Sequence, residues 1–272
     1  MGGQSIVRLW PPNFFYGSLK KNKRDIFSLL FHSFAVPLHI MKFKRLFFSI
    51  TAIILSVISA HAQYYIQCED TCNHIHGLDM SHYQGDVWWE TVGANSKMYY
   101  VYLKASEGGD NIDRRYLENI TLARRYGLKV GSYHFYRPNR PQAEQVRNFR
   151  TQCRPQDQDL IPMVDIETTG GLGKAELCDS LHKFLRLLER EYHQKPLIYT
   201  YESFYNNYLT YQLNGYKLFI AKYNSQKPVL RDGRDIFAWQ YTSKGRINGV
   251  TGYVDKSRLM GRHSMREIRF RR

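Results

Sequence analysis

Asp165 and Glu167 stand two positions apart at the end of the run Leu160-Ile-Pro-Met-Val-Asp-Ile-Glu-Thr168. Apolar residues and a proline precede the first acid, so the run reads as a short buried strand that presents two carboxylates at its carboxyl end. Side chains alternate along a strand, and residues two apart therefore share a face, roughly 6.5 to 7 Å apart by the rise per residue. Two acids looking into one cavity suit general acid–base work. Glycoside hydrolysis, for example, needs one carboxyl kept protonated beside a second carboxylate, and like charges at close range push one pKa up. The competing reading of an isolated D-x-E is a strand end whose acids cap the next helix or pair with arginines. The rest of the chain has to decide between them.

Apolar, β-branched runs recur along the chain with helical segments between them. Strands are expected near Ile75 to Met80, Met98 to Ala105, Lys129 to Tyr136, Leu160 to Ile166, Pro196 to Tyr201, Lys217 to Tyr223, Asp235 to Tyr241 and Tyr253 to Asp255. The clearest helices are Asp113 to Tyr126, Gln142 to Gln152 and Lys174 to Tyr192. Alternation of strand and helix gives way to closely spaced strands, which predicts an α/β fold with a parallel sheet, most economically a closed eight-stranded barrel whose last helices are shortened or lost. Such barrels carry function at the carboxyl ends of their strands. Asp79, Glu107, Asp165, Glu167 and Asp255 all fall at strand ends in this reading, with Tyr133, Phe135, Tyr136, Tyr199, Tyr201, Tyr223, Trp239 and Tyr241 at or near the same rim. Aromatic faces beside carboxylates suit a carbohydrate.

The amino terminus reads differently from the rest. Met41-Lys-Phe-Lys-Arg45 is basic, Leu46 to Ala60 is apolar, and Ala60-His61-Ala62 fits a small-x-small cleavage pattern, so residues 41–62 read as a signal peptide cleaved near Ala62. Residues 1–40 precede it as an extended leader or the product of a misassigned start, and 63–272 form one domain. The first 62 residues hold eight Lys and Arg against one Asp, so +7 of the formal net charge of +15 belongs to them. The remaining +8 suits a polyanionic partner without choosing among nucleic acid, a membrane and an anionic wall polymer. The tail from Arg262 to Arg272, with five arginines, reads as a frayed, solvated terminus. Four cysteines in an exported chain suggest disulfides, with three possible connectivities that sequence does not separate; Cys68 with Cys72 and Cys153 with Cys178 is the favoured one.

Six ordered segments carry a resemblance: Gly77-Leu-Asp-Met-Ser-His-Tyr-Gln-Gly85, Tyr102-Leu-Lys-Ala-Ser-Glu-Gly108, Gly131-Ser-Tyr-His-Phe-Tyr136, Pro162-Met-Val-Asp-Ile-Glu167, Ala238-Trp-Gln-Tyr-Thr242 and Gly252-Tyr-Val-Asp-Lys-Ser257. Over the region from Ile75 to Leu259 the chain resembles the family 25 glycoside hydrolases, the Chalaropsis-type lysozymes. The resemblance implies a flattened TIM-like barrel, (β/α)5(β)3, and cleavage of the β-1,4 bond between N-acetylmuramic acid and N-acetylglucosamine in peptidoglycan. It also implies Glu167 as general acid and Asp165 as the carboxylate that supports the reacting centre through the substrate acetamido group; on physical grounds, crowding with Asp165 and partial burial are expected to raise the Glu167 pKa. Asp79 and Asp255 become flanking acids, and Glu107, Tyr133, Tyr136 and Gln240 second-tier cleft residues. No metal or cofactor is expected. The partner is peptidoglycan glycan strands, not nucleic acid, and the enzyme is a secreted or periplasmic monomer with no stable membrane insertion after cleavage. Two positions depart from the family pattern: Ser257 stands where asparagine is usual, and Tyr83 where tryptophan is common.

Two other function classes compete. A wall-binding barrel without catalysis would normally have lost some of the four acids, and all four are present. A metal-dependent amidohydrolase would use His74-Ile-His76 and the aspartate of the last strand, but the middle strands supply no histidine at Tyr201 or Asn224, leaving a transition metal short of ligands. By alternation His134 points away from Tyr133 and Phe135 into the helix layer. A nucleic-acid module is not recognisable.

Overall fold

A computed structural model describes residues 74–272. The leader, the export signal and the Cys68–Cys72 pair lie outside the described residues. The strands are β1 (His76–Met80), β2 (Met98–Glu107), β3 (Asn111–Ile112), β4 (Lys129–Phe135), β5 (Met163–Asp165), β6 (Leu197–Tyr201), β7 (Leu218–Ala221), β8 (Ala238–Gly245) and β9 (Val254–Leu259). Helices α1 (Trp89–Gly93), α2 (Tyr116–Arg125), α3 (Gln142–Gln152), α4 (Lys174–Tyr192) and the single turn α5 (Glu202–Phe204) follow β1, β2, β4, β5 and β6. The sheet runs β1-β9-β8-β7-β6-β5-β4-β2-β3, and a β1–β2 pairing closes it. With β3 only a two-residue hairpin on the tip of β2, this is an eight-stranded barrel of five βα units and three further strands. Helix α1 and the β3 hairpin were not anticipated, both being too short to show a period.

One strand runs the other way. β9 is antiparallel to both β8 and β1. The connection from Gly245 to Val254 is too short to carry a crossover helix, and a direct turn can only reverse the chain. Asp255 is therefore near the start of the last strand, not at its end as the parallel reading had it. Reversal of the strand returns it to the functional rim, where it pairs with Asp79 across the ladder.

Strand alternation sorts the core into two. Outside the barrel wall Val101, Leu103, Val130, Val164 and Ile198 pack on α2, α3 and α4; inside it Tyr100, Tyr102, Met163, Leu197 and Phe219 fill the bore. Buried tyrosines need partners for their hydroxyls. Tyr100 Oη lies 2.9 Å from Ser257 Oγ, and Tyr102 donates to the Ile161 carbonyl at 3.1 Å. Each ring lies against a neighbouring strand at a glycine: a Cβ on Gly77 would sit 2.2 Å from the Tyr100 ring, and one on Gly131 2.3 Å from that of Tyr102. Gly131→Ala should destabilise the fold by about 2 to 3 kcal/mol through overpacking. A denaturant midpoint unchanged from wild type would show that the Tyr102 ring has room to move.

Two expectations are corrected. The Arg-rich tail is docked, not frayed: Met265–Ile268 forms a 3-10 turn, Arg269 bridges Leu160, and Ile268 and Phe270 are buried under the barrel, with Phe270 edge-on to Tyr192. The spacing of these two apolar residues among the arginines is what anchors it. Cys153 and Cys178 are separate free thiols. Cys153 is enclosed at the end of α3, where burial pushes its thiol up to about 12, whereas Cys178 faces the Tyr208 carbonyl from the first turns of α4.

Candidate active site

Asp165 ends β5, flanked in register by Phe135 of β4 and Tyr199 of β6. Met163 and Asp165 share the inner face, and Val164 and Ile166 the outer one. Glu167 follows just beyond the strand. The two carboxyls line a cavity of roughly 180 Å3 together with Asp79, Ser81, Tyr83, Lys104, Tyr133, Phe135, Gln240 and Asp255. Sequence-predicted Asp79, Tyr133, Asp165, Glu167, Gln240 and Asp255 are thus brought to one place at the strand ends.

Burial raises Asp165 well above the ordinary carboxylate range, and the Glu167 charge adds to this; burial also raises Glu167, but its hydrogen bond with Asp165 pulls it down, so the crowding expected to raise Glu167 falls on Asp165 instead. The two side chains hydrogen-bond to each other and titrate as a pair, sharing a proton under conditions where free carboxylates have lost theirs. Burial likewise raises Asp79 well above its usual value, against the pull of a hydrogen bond from Gln240. Among the described residues no protein group donates to Asp165 Oδ1 or Asp79 Oδ1.

Gln240 orders the wall behind Asp79. Its Nε2 donates to Asp79 Oδ2 at 3.1 Å, while Tyr199 and Tyr223 donate to its Oε1 at 2.8 and 2.6 Å. Its amide being committed to protein partners, Gln240 acts as a positioning residue. Ser257 Oγ lies 2.9 Å from Tyr100 Oη, and its hydroxyl favours the ionised form of Asp79, so the departure from asparagine keeps a polar group beside the acid.

Glu107 lies one step back from the cavity. Lys104 Nζ donates to its Oε2 at 2.6 Å and Arg137 Nε to its Oε1 at 2.9 Å. Burial would raise this carboxyl, but the two cations outweigh burial and hold it below its usual value. Lys104, a residue not expected from the sequence to reach the site, lines the cavity and lies over the Phe135 ring at 5.1 Å. The signal that could have found it is alternation: it shares a face with Tyr102 on β2.

Three rim aromatics are elsewhere. Tyr136 is fully buried in the helix layer, stacked on Phe184 with its hydroxyl 2.7 Å from Ser180 Oγ, so it is not a cleft residue. It stands two positions after His134, whose burial against Phe149 and Phe184 follows the same outward parity. Trp239 and Tyr241 flank Gln240 and by the same rule face outward, Trp239 under Arg258 and Tyr241 with its hydroxyl 3.2 Å from His76 Nδ1. His76 is therefore directed away from the carboxylates.

Burial raises Asp255 to about 6. A carboxyl whose folded pKa exceeds its unfolded value of about 3.9 favours the fold fully below about pH 4, and that contribution is lost as the pH rises through the folded value. At pH 7 the ionised Asp255 is a cost to stability. Asp255→Asn should raise stability at pH 7 by on the order of 2 kcal/mol, with the gain vanishing near pH 4, while lowering activity. Thermal melts across that range decide it; equal gains at both pH values would show that the charge is not the cause.

Comparison with known proteins places this geometry. The profile of the family described as glycosyl hydrolases family 25 matches residues 78–250. The uncharacterized protein YegX of Escherichia coli K12 is 30% identical over 185 residues, 66% of this chain and 68% of its own length. Lysozyme M1 of Streptomyces globisporus is 29% identical over 202 residues, 69% and 68% of the two chains. The crystal structure of the bacterial lysozyme from Streptomyces coelicolor aligns with a TM-score of 0.64 at 27% identity, covering 72% of this chain and 96% of that one. The matched stretch runs from inside β1 to the loop before β9 and includes the paired acids at the barrel's end: this chain belongs to the glycosyl hydrolases of family 25.

Proposed function

We propose that the protein is a muramidase, cleaving the β-1,4 bond between N-acetylmuramic acid and N-acetylglucosamine in peptidoglycan. The observation that supports this best is the coupled pair Asp165 and Glu167 at the barrel's end, facing Asp79 and Asp255 in one cavity. At roughly 180 Å3 the cavity is smaller than a typical ligand pocket of about 300 Å3 or more, so it suits the reacting end of a single sugar. The rest of the glycan lies outside it, beside the exposed Tyr83 ring.

Glu167, the more exposed of the pair, donates its proton to the glycosidic oxygen as the C1–O bond breaks. Asp165 is in hydrogen-bond contact with Glu167, which puts both acids on the same side of the sugar. A directly attacking carboxylate needs a separation of about 5 to 5.5 Å across the ring, and a water-activating one about 6.5 Å or more. The contact favours the third route: the substrate's acetamido oxygen attacks C1, and Asp165 Oδ1 accepts the acetamido N–H. Glu167, now ionised, then takes a proton from the water that opens this intermediate. Asp79, held by Gln240, and Asp255 hold sugar hydroxyls on the far wall, with Tyr133 beneath the ring and Glu107 fixing Lys104.

Peptidoglycan lies outside the cytoplasmic membrane, which supports a secreted or periplasmic protein; release near Ala62 and action as a monomer complete the reading. The test is digestion of purified peptidoglycan with the new reducing ends identified by mass spectrometry. Muramic-acid ends are expected. Glucosamine ends would reassign the bond, and sedimentation with the wall without any cleavage would favour a binding barrel.

A further inference from the structure

The opposite end of the barrel carries a second, larger groove of about 920 Å3. It is built where strands begin: Tyr99 and Lys129 near the starts of β2 and β4, Leu160 ahead of β5, and the docked tail across them. Burial of Ile268 and Phe270 turns Arg269 and Arg271 outward. Arg124, Lys129, Arg266, Arg269, Arg271 and Arg272 line the groove, against Asp159 as the single acid of the lining among the described residues. Asp159 lies 3.7 Å from Arg124. Lys129, Arg266, Arg269 and Arg271 make no ion pair within the described residues.

We propose that this basal groove docks an anionic polymer of the cell envelope through its phosphodiester groups. Guanidinium groups match phosphate oxygens with a planar fork. Apart from the half-buried Arg124 the cations are solvent-exposed, so each contributes little alone, and only a ligand repeating its charge along a chain engages several at once. The groove offers Tyr99 as its one exposed aromatic ring among the described residues, which is a poor platform for stacked bases and disfavours a single-stranded nucleic acid. The wall is then gripped at one end of the barrel while its glycan is cut at the other. Choosing an envelope polymer rests on the muramidase reading.

The experiment is cosedimentation of the protein with purified walls bearing covalent poly(glycerol phosphate), beside the same walls stripped of it by acid. The groove variant is Lys129→Ser, Arg266→Ser, Arg269→Ser; the control, of equal charge, is Arg147→Ser, Lys183→Ser, Arg190→Ser on the exposed faces of α3 and α4. Wild type and control should bind intact walls about tenfold or more tighter than the groove variant, and the groove variant's slope of log affinity against log salt should be shallower by about 2. All three should cut stripped walls equally. Equal losses in groove variant and control, or equal binding to intact and stripped walls, overturn the proposal. So does tighter binding of oligo-dT than of free poly(glycerol phosphate), if it too is lost in the groove variant. Groove-dependent binding to intact walls with no reducing ends from wild type upholds docking and defeats the muramidase reading.

Discussion

Glu167→Gln should reduce peptidoglycan cleavage by about a thousandfold or more while leaving wall binding and the melting temperature close to wild type. A positioned general acid contributes roughly 100- to 10,000-fold, and the leaving alkoxide of a glycosidic bond departs poorly without a proton. Glutamine keeps the size and hydrogen bonding of the protonated acid but has no proton to give. The amide also removes one of the buried charges that crowd Asp165, so no loss of stability is expected. Rates are read from reducing ends released by equal amounts of folded protein. A variant retaining more than about a tenth of the activity would move the acid's role to another residue.

Asp165→Asn should cost about a hundredfold or more, and it should also move the pH profile. In the wild type the last proton leaves the pair only by placing two negative charges together in a buried site, which delays its loss. With Asp165 replaced by an amide the pair no longer exists, and its delayed last proton loss gives way to a single titration of Glu167. The alkaline limb of the pH–rate profile should therefore shift down by about one unit or more. A merely structural role for Asp165 would lower the rate at every pH and leave the limb in place. An unmoved limb with an intact melting temperature would uncouple the two acids and remove the basis for the acetamido route.

Much of this was legible in the chain because period-2 alternation is a strict rule. It placed Asp165 inside the barrel and sent His134 to the helices, and Met163 and Val164 obey it from inside the same strand. The same rule sends Tyr136, Trp239 and Tyr241 outward, because parity and not aromatic character decides which face of the barrel wall a side chain takes. Other features depend on pairings between distant segments, which a local pattern does not encode. The direction of β9 follows from loop length as much as from its residues. The docking of the tail depends on Ile268 and Phe270 meeting a barrel base formed by residues more than a hundred positions earlier, such as Leu160. Lys104 was hidden because a lysine on a strand is usually solvated, and its partner Glu107 reveals it only once both are folded.

The docked tail sets how the protein can be fastened to a surface. Arg272 is at the base of the barrel, and the carboxylates open at the other end. A bead or fused carrier joined through the last residue would hold the barrel by its foot and leave the mouth facing outward. Such an immobilised preparation should still digest small soluble glycan fragments, yet its own attachment would cover the arginines of the base. Coupling through an exposed side chain of α3 would leave both ends open, so the choice of tether separates cutting from gripping without altering a single residue of either.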